Sequence, residues 1–106
     1  MSNRMTNLLT ETYVELLRNG KLTTDVLWVG TLKSYTDWET FYNTASIEYN
    51  SGFGGQEINP RLLVVGDDWW LERHEYDGSE WWEFKCLPIK PDEKMGVRLL
   101  VDYYYD

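Results

Sequence analysis

The side chains best suited to chemistry lie in one segment, WWLERHEYDGSEWWEFK (residues 69–85), which holds four of the six tryptophans of the chain. The segment contains the only histidine, His74, and it is followed directly by the only cysteine, Cys86. A histidine close to two glutamates, Glu72 and Glu83, is a combination found in general acid–base catalysis and in metal sites. The first question is therefore whether this chain supports such chemistry.

The residue inventory supports neither kind of site. One histidine and one cysteine do not supply the usual ligands of a structural zinc site, and nothing in the spacing of Glu72, His74 and Glu83 demands a metal. Nucleophilic catalysis needs a nucleophile beside an oriented base. Cys86 is predicted to lie within a strand, on its core face, where a thiol usually behaves as an inert small hydrophobe. The sequence therefore predicts a non-enzymatic protein without metal or cofactor.

The dipeptide Asp77-Gly78 predicts how the Trp-rich segment folds. An Asp-Gly between two aromatic runs is typical of a two-residue hairpin turn, because both central residues of that turn need positive φ. Such a turn fixes the register of the strands 69–76 and 79–87. In this register Glu72 faces Glu83.

Strand alternation separates the side chains of this hairpin into two faces. The inner face is mainly apolar and comprises Trp69, Leu71, Arg73, Trp82, Phe84 and Cys86. The outer face alternates aromatic and polar side chains and comprises Trp70, Glu72, His74, Tyr76, Ser79, Trp81, Glu83 and Lys85. Each Trp-Trp pair is thus predicted to place one indole in the core and one on the outer face.

The outer face has the composition of a binding surface. Glu72 opposite Glu83 is a like-charge cross-strand pair, which is mildly destabilising. An arginine or lysine of a partner could relieve it through carboxylate pairing and cation–π contact; the competing interpretation is that Lys85 and water do so. Because exposed Trp and Tyr are enriched at binding hot spots, we predict a site for a basic protein partner. Its residues are Trp70, Glu72, His74, Tyr76, Trp81 and Glu83.

Two other roles for the aromatic residues remain as alternatives. A planar small molecule or a sugar could bind in a Trp- and Tyr-lined pocket between the hairpin and the glycine-rich loop Gly52–Gly55. The outer indoles could instead be buried in a homodimer. The glycine spacing does not match the G-x-G-x-x-G motif, so it does not favour phosphate binding.

The charge balance restricts the class of partner. Eighteen acids face ten bases, which gives a formal net charge of −8. A negative surface repels phosphates, so direct nucleic-acid binding is not expected. Seven of the acids lie between residues 67 and 83, dense enough for a protein that occupies the basic groove of a nuclease or repressor; the competing interpretation is an acidic hairpin tip that discourages edge-to-edge aggregation.

The cellular location is predicted from what the chain lacks. No stretch approaches the ~18 consecutive apolar residues of a membrane span. The N-terminal residues do not form the apolar core of a signal peptide, and a lone cysteine fits a reducing compartment. These features predict a cytoplasmic protein that does not contact a membrane.

The remaining residues predict the elements that hold the hairpin. Apolar spacing indicates a helix over 4–19, and a capping box from Thr36 to Glu39 indicates a second, shorter helix. Predicted strands cover 25–32, 61–65 and 97–105, and a loop covers 50–60. The order predicts a single α+β domain over residues 1–106, with a mostly antiparallel sheet of four to five strands and two helices packed on one face. The buried helix residues are expected to be Met5, Leu8, Leu9, Tyr13, Leu16 and Leu17 in the first helix and Trp38, Phe41, Tyr42 and Ala45 in the second.

The stretch VVGDDWWLERHEYDGSEWWEFKCLPIKP (64–91), about a quarter of the chain, resembles a Trp-rich stretch in small acidic proteins of phages and bacterial mobile elements. No activity is known for that group, so the resemblance assigns no catalytic or binding residue. It implies a small protein that acts by stoichiometric binding, including the inhibition of host defence enzymes.

Overall fold

The computed structural model describes residues 5–52, 54–96 and 98. The helices are α1 (Leu8–Arg18) and α2 (Trp38–Thr44), with a short 3-10 turn at Thr23–Asp25. The strands are β1 (Met5–Asn7), β2 (Trp28–Gly30), β3 (Tyr35–Thr36), β4 (Glu48–Asn50), β5 (Leu63–Val65), β6 (Trp69–Tyr76) and β7 (Ser79–Cys86). The predicted last strand, 97–105, lies outside the described residues apart from position 98.

Five of the strands form one antiparallel sheet in the order β3-β2-β5-β6-β7, and β1 pairs with β4 in a separate two-stranded sheet. Val29, Val64 and Leu71 lie side by side across β2, β5 and β6, and all three are buried. They form one core cluster with Leu16 of α1 and Phe41 of α2. The predicted α+β fold, with a mostly antiparallel sheet and two helices, is confirmed.

Helix α1 is shorter than predicted and buries a different face. It begins at the N-cap Asn7, whose side chain accepts a hydrogen bond from the backbone N–H of Thr10. Its buried residues are Leu8, Thr12 and Leu16, whereas the predicted Met5 lies in β1 and Tyr13 and Leu17 are exposed. The hydroxyl of Thr12 donates to the Leu8 carbonyl and accepts from the indole of Trp82. Because both hydrogen bonds satisfy it, this polar side chain can be buried. A search for apolar spacing cannot find such a residue.

Helix α2 begins one residue later than the capping box predicts. Asp37 is the N-cap, and its carboxylate accepts a hydrogen bond from the backbone N–H of Thr40 at 2.8 Å. Thr36 is instead part of β3, paired with Val29. Of the predicted inner face, Tyr42 is exposed.

The short strands are the elements that sequence patterns predict least well. The predicted strand 25–32 is reduced to Trp28–Gly30, and β3 and β4 were not predicted. Strands of two or three residues carry too few side chains for alternation to be visible. Pairing with distant partners therefore decides where they form.

The hairpin β6–β7 has the predicted register at every position. Glu72 pairs with Glu83, and the turn residues Asp77 and Gly78 have φ values of 51° and 87°. A glycine is required at position 78 for a second reason: a Cβ there would lie 2.5 Å from the backbone oxygen of Gly54. The glycine-rich loop therefore contacts the tip of the hairpin.

We expect Gly78→Ala to reduce the free energy of unfolding by about 2 to 3 kcal/mol, because it adds a steric clash to an unfavourable positive φ. Gly20→Ala is the matched control, since Gly20 also has positive φ (70°) but has no atom within 4 Å of the added Cβ. The control substitution should reduce the free energy of unfolding by only about 1 kcal/mol. Urea denaturation measures the free energy of unfolding of both variants. Equal reductions would show that the close approach of Gly54 contributes nothing to the effect.

No helix in the described part of the chain is both long enough and apolar enough to cross a membrane.

Candidate functional site

The hairpin outer face, defined as the outward side of β6 and β7, contains all six predicted site residues. They alternate along the two strands as predicted, since the register places Trp70, Glu72, His74 and Tyr76 opposite Lys85, Glu83, Trp81 and Ser79. Tyr76 is 76% exposed and Trp81 is 36% exposed, while Trp70 is partly buried. The structure therefore brings the six residues together on one solvent-accessible surface.

The carboxylate of Glu72 is fixed by two neighbours on its own strand. The indole N–H of Trp70 donates to Oε1 at 2.7 Å, and Nε2 of His74 lies 2.6 Å from Oε2. Residues two apart on a strand project on the same side, so alternation itself places both neighbours within reach. The rotamer of Glu72 is thus set before any ligand arrives.

Glu83 repeats this arrangement on the opposite strand. The indole N–H of Trp81 donates to Oε2 at 3.1 Å, and the ammonium of Lys85 lies 3.4 Å from Oε1. The ring of His74 is 3.7 Å from the same Oε1, so it lies between the two carboxylates. The like-charge pair that the sequence predicted is therefore already partly relieved by Lys85 and by the neighbouring N–H groups.

These contacts keep both carboxylates ionised. Hydrogen bonds from Trp70 and His74 lower the pKa of Glu72, and the hydrogen bond from Trp81, with Lys85 nearby, lowers the pKa of Glu83. A pKa below that of the unfolded chain means that the contacts stabilise the fold above about pH 4.3. This contribution is lost as the pH falls through the lowered pKa values.

The aromatic surface continues beyond the hairpin onto the neighbouring strands. Trp28 of β2 pairs with Val65, which in turn pairs with Trp70, so the three side chains form one row on the same side of the sheet. Tyr35 packs edge-on against Trp28 with ring centroids 6.5 Å apart. The sequence did not predict this extension, because β2 and β3 are too short for their faces to be assigned.

The inner face contains a charged pair that the sequence interpretation missed. The guanidinium of Arg73 lies 2.9 Å from the carboxylate of Glu80, and both side chains are 0% exposed. The Arg73 Cζ also lies 4.7 Å from the ring centroid of Trp82. A signal for the pair was present, since Glu80 has the same strand parity as Trp82 and must point inward.

This buried pair is joined to other parts of the chain. The guanidinium of Arg73 donates to Glu11 of α1 and to the hydroxyl of Tyr49 in β4. Burial alone would lower the pKa of Arg73, but the charge of Glu11 and the hydrogen bonds with Tyr49 and Glu80 outweigh it and raise that pKa. Burial and the bond to Glu11 raise the pKa of Tyr49. Arg73 is therefore a charged centre that connects the hairpin to α1 and β4.

Glu80 also fixes the loop that precedes β5. Its carboxylate accepts hydrogen bonds from the backbone N–H of Glu57 at 2.6 Å and of Ile58 at 3.3 Å, and its own N–H donates to the carbonyl of Ser51. Glu80 is one of the seven acids between residues 67 and 83. Because it is buried and paired, it does not contribute to the acidic surface, whereas Asp67, Asp68, Glu75 and Asp77 do.

Cys86 does not belong to the core as predicted, because the thiol is exposed at the end of β7. Within the described ranges, no group of three or more His, Cys, Asp or Glu side chains is arranged to hold a metal ion.

A cavity of about 550 Å³ lies between α1 and the tip of the hairpin. Trp81, Trp82 and Ser51 line one part of it, and Val14 of α1 lines another. The pocket proposed from the sequence lies between the hairpin and the loop Gly52–Gly55; of the described residues around that loop, only Ser51, which directly precedes it, lines this cavity.

No protein-family model, curated protein sequence or solved structure matches this chain.

Proposed function

We propose that this protein binds a basic protein partner through the hairpin outer face, without catalysing a reaction. The observation that carries the proposal is the central carboxylate pair, Glu72 and Glu83, held in fixed orientations between two indoles. Such an arrangement matches an arginine side chain, whose planar guanidinium pairs with carboxylates and stacks on aromatic rings.

The carboxylates retain capacity for a ligand. An ionised carboxylate offers about four acceptor positions, and Glu72 uses two of them in the contacts with Trp70 and His74. Because these contacts already order the side chain, an incoming guanidinium loses less conformational entropy than it would against free glutamates. The lowered pKa values support the proposal further, since both groups carry charge at neutral pH.

The indoles are oriented so that their rings remain available. Each N–H points at the neighbouring carboxylate, and in the described part of the structure no cation or second ring stacks on Trp70 or Trp81. A cation that reaches Glu83 can therefore also contact the face of Trp81. The surrounding acids and the net charge of −8 would steer a basic partner toward the surface.

The charge pattern supports a basic class of partner, and the proposed class agrees with what a resemblance to phage and mobile-element proteins would imply. We propose a host nucleic-acid-binding or defence protein, whose basic groove would receive the acidic face. In this role the protein acts in the cytoplasm as a stoichiometric inhibitor.

The test uses oligo-arginine and an oligo-lysine of the same length as probes, with binding followed by tryptophan fluorescence. Oligo-arginine should bind more tightly, and the variant Glu72→Gln/Glu83→Gln should weaken it by about tenfold. The matched control is Glu39→Gln/Glu48→Gln, which removes the same charge from exposed residues of α2 and β4. Wild-type binding should persist at about pH 5, because the two carboxylates remain ionised there.

Equal weakening by both double variants would contradict the proposal, since it would mean that only net charge matters. Trp81→Ala should also weaken binding, through the lost cation–π contact.

A second candidate function is the binding of a small planar molecule in the cavity between α1 and the hairpin tip, which Trp81 and Trp82 line. Val14→Arg separates the two candidates, because Val14 lines this cavity from α1 and is not a residue of the hairpin outer face. Oligo-arginine binding that survives Val14→Arg supports the first candidate, whereas a planar aromatic probe that binds the wild type and is lost in Val14→Arg supports a site in the cavity.

A further inference from the structure

The outer edge of β7 is unpaired in the described part of the structure, because β7 is the last strand in the sheet order. Tyr76 and Ser79 flank the two-residue turn and form a hydrogen-bonded pair, and every second pair after them is also hydrogen-bonded. The backbone groups of the even-numbered residues of β7 therefore point away from β6. These residues are Glu80, Trp82, Phe84 and Cys86.

As far as the described residues show, both ends of this edge are closed and its centre is open. At one end the N–H of Glu80 donates to the carbonyl of Ser51 at 2.9 Å. At the other end, Pro88 has no N–H to offer. Within the described ranges, no hydrogen bond joins the outward backbone groups of Trp82, Phe84 or Cys86 to another residue.

We propose that this edge pairs with the same edge of a second copy of the chain, antiparallel and centred on Phe84. Each protomer then contributes its backbone groups at Trp82, Phe84 and Cys86 to the new ladder, and the two five-stranded sheets become one. The inference does not rest on the proposed function, because it concerns the backbone of β7 and not the binding of a basic partner.

Charge complementarity selects this register. With Phe84 on the symmetry axis, Glu83 of each protomer lies opposite Lys85 of the second copy, so two opposite-charge pairs form. An axis through Glu83 would oppose two glutamates, and an axis through Lys85 would oppose two lysines. Opposite charges in direct cross-strand positions stabilise a sheet, and like charges destabilise it.

Two further registers, with the axis through Trp82 or through Cys86, are excluded by the backbone. An axis through Trp82 would require the outward N–H of Glu80, which already donates to Ser51. An axis through Cys86 would place Pro88 opposite Phe84, where a donor is missing. The register centred on Phe84 uses only backbone groups that have no hydrogen-bond partner among the described residues.

The apolar side chains fit the same register. Leu87 is 57% exposed and would lie opposite Trp81 of the second copy on the outer side of the sheet. On the helix side, the exposed Cys86 would lie opposite Trp82. Pairing would therefore cover side chains that are unusually apolar for a free edge.

The test is a pair of charge reversals examined by sedimentation equilibrium. Glu83→Lys opposes lysines across the axis, and Lys85→Glu opposes glutamates, so each variant alone should dimerise at least about tenfold more weakly than wild type. An equimolar mixture of the two should form a heterodimer, because every charged pair is then complementary. The double variant Glu83→Lys/Lys85→Glu should dimerise as wild type does.

The controls are Glu48→Lys and Lys33→Glu, which reverse exposed charges away from β7. Measurements at about 0.15 M ionic strength screen the repulsion between two chains of net charge −8. A wild-type protein that stays monomeric at millimolar concentration overturns the proposal. The proposal is also overturned if either single charge reversal dimerises as tightly as wild type, or if the equimolar mixture stays monomeric.

A distance measurement tests the register itself. Cys86 is exposed and is the only cysteine, so a nitroxide label attaches at one position per chain. Strand geometry places the two labelled Cα atoms about 14 Å apart in the proposed dimer. The register is supported if the wild-type spectrum shows dipolar broadening and the spectrum of the monomeric Lys85→Glu variant does not. A wild-type dimer whose spectrum is not broadened overturns it.

Discussion

Glu80→Gln is expected to reduce the free energy of unfolding by about 3 kcal/mol and to lower the Tm by more than about 10 °C. The substitution keeps the shape of the side chain but removes the negative charge that faces Arg73 at 2.9 Å in a fully buried site. A buried guanidinium that loses its carboxylate is left with incomplete compensation, which is one of the most costly changes in a core. Among the described residues, Glu11, which is partly exposed and 3.3 Å away, is the one charged partner that remains.

The matched control is Glu75→Gln, the same chemical change at the residue directly opposite on β6. Glu75 is exposed, so its loss should change stability by less than about 0.5 kcal/mol. Thermal and urea denaturation of both variants measure the difference. If Glu80→Gln were as mild as Glu75→Gln, the buried pair would contribute nothing to stability.

The second large effect is expected at adjacent tryptophans with opposite orientation. Trp82→Ala should reduce the free energy of unfolding by about 3 to 5 kcal/mol, because it leaves a cavity in the core. It also removes the ring beside Arg73 and leaves the hydroxyl of Thr12 without its indole donor. Trp81→Ala should cost less than about 1 kcal/mol, because its indole lies on the hairpin outer face.

Urea denaturation of the two variants, with oligo-arginine binding measured on each folded protein, checks the division of roles. Trp81→Ala should keep its stability and lose affinity. Comparable stability losses in both variants would mean that the outer face is also buried, and the proposed binding surface would then be wrong.

The hairpin could be predicted from the sequence because its information is local. Asp77-Gly78 requires one turn type, that turn fixes one register, and alternation then assigns every side chain of two eight-residue strands. The helices were predicted with less accuracy. Their positions follow from local spacing, but the buried side of α1 depends on where Trp82 meets Thr12, seventy residues away in the chain.

The candidate site likewise has one part that local sequence predicts and another that depends on distant contacts. The six outer-face residues were predicted because they share one hairpin, whereas Trp28 and Tyr35 join the same surface only through the pairing of β2 with β5 and β3. Strand alternation alone could have predicted that Arg73 and Glu80 lie on the same side of the hairpin, but not that they pair while Glu75 stays exposed. The participation of Glu11 and Tyr49 could not be predicted either, because no local pattern relates α1 and β4 to the hairpin.

The tandem tryptophans have a consequence for how this protein can change over generations. Since neighbouring residues of a strand project to opposite sides, inserting or deleting one residue within β6 would reverse the sides of the residues before that point relative to those after it, so that Trp69 and Trp70 could no longer face the same sides as their partners on β7. Substitution can thus diversify the outward side chains one at a time, whereas a change of length would alter packing and recognition together. Among descendants of this sequence, the number of residues between Trp69 and Trp82 should vary less than the identity of the outward residues between them.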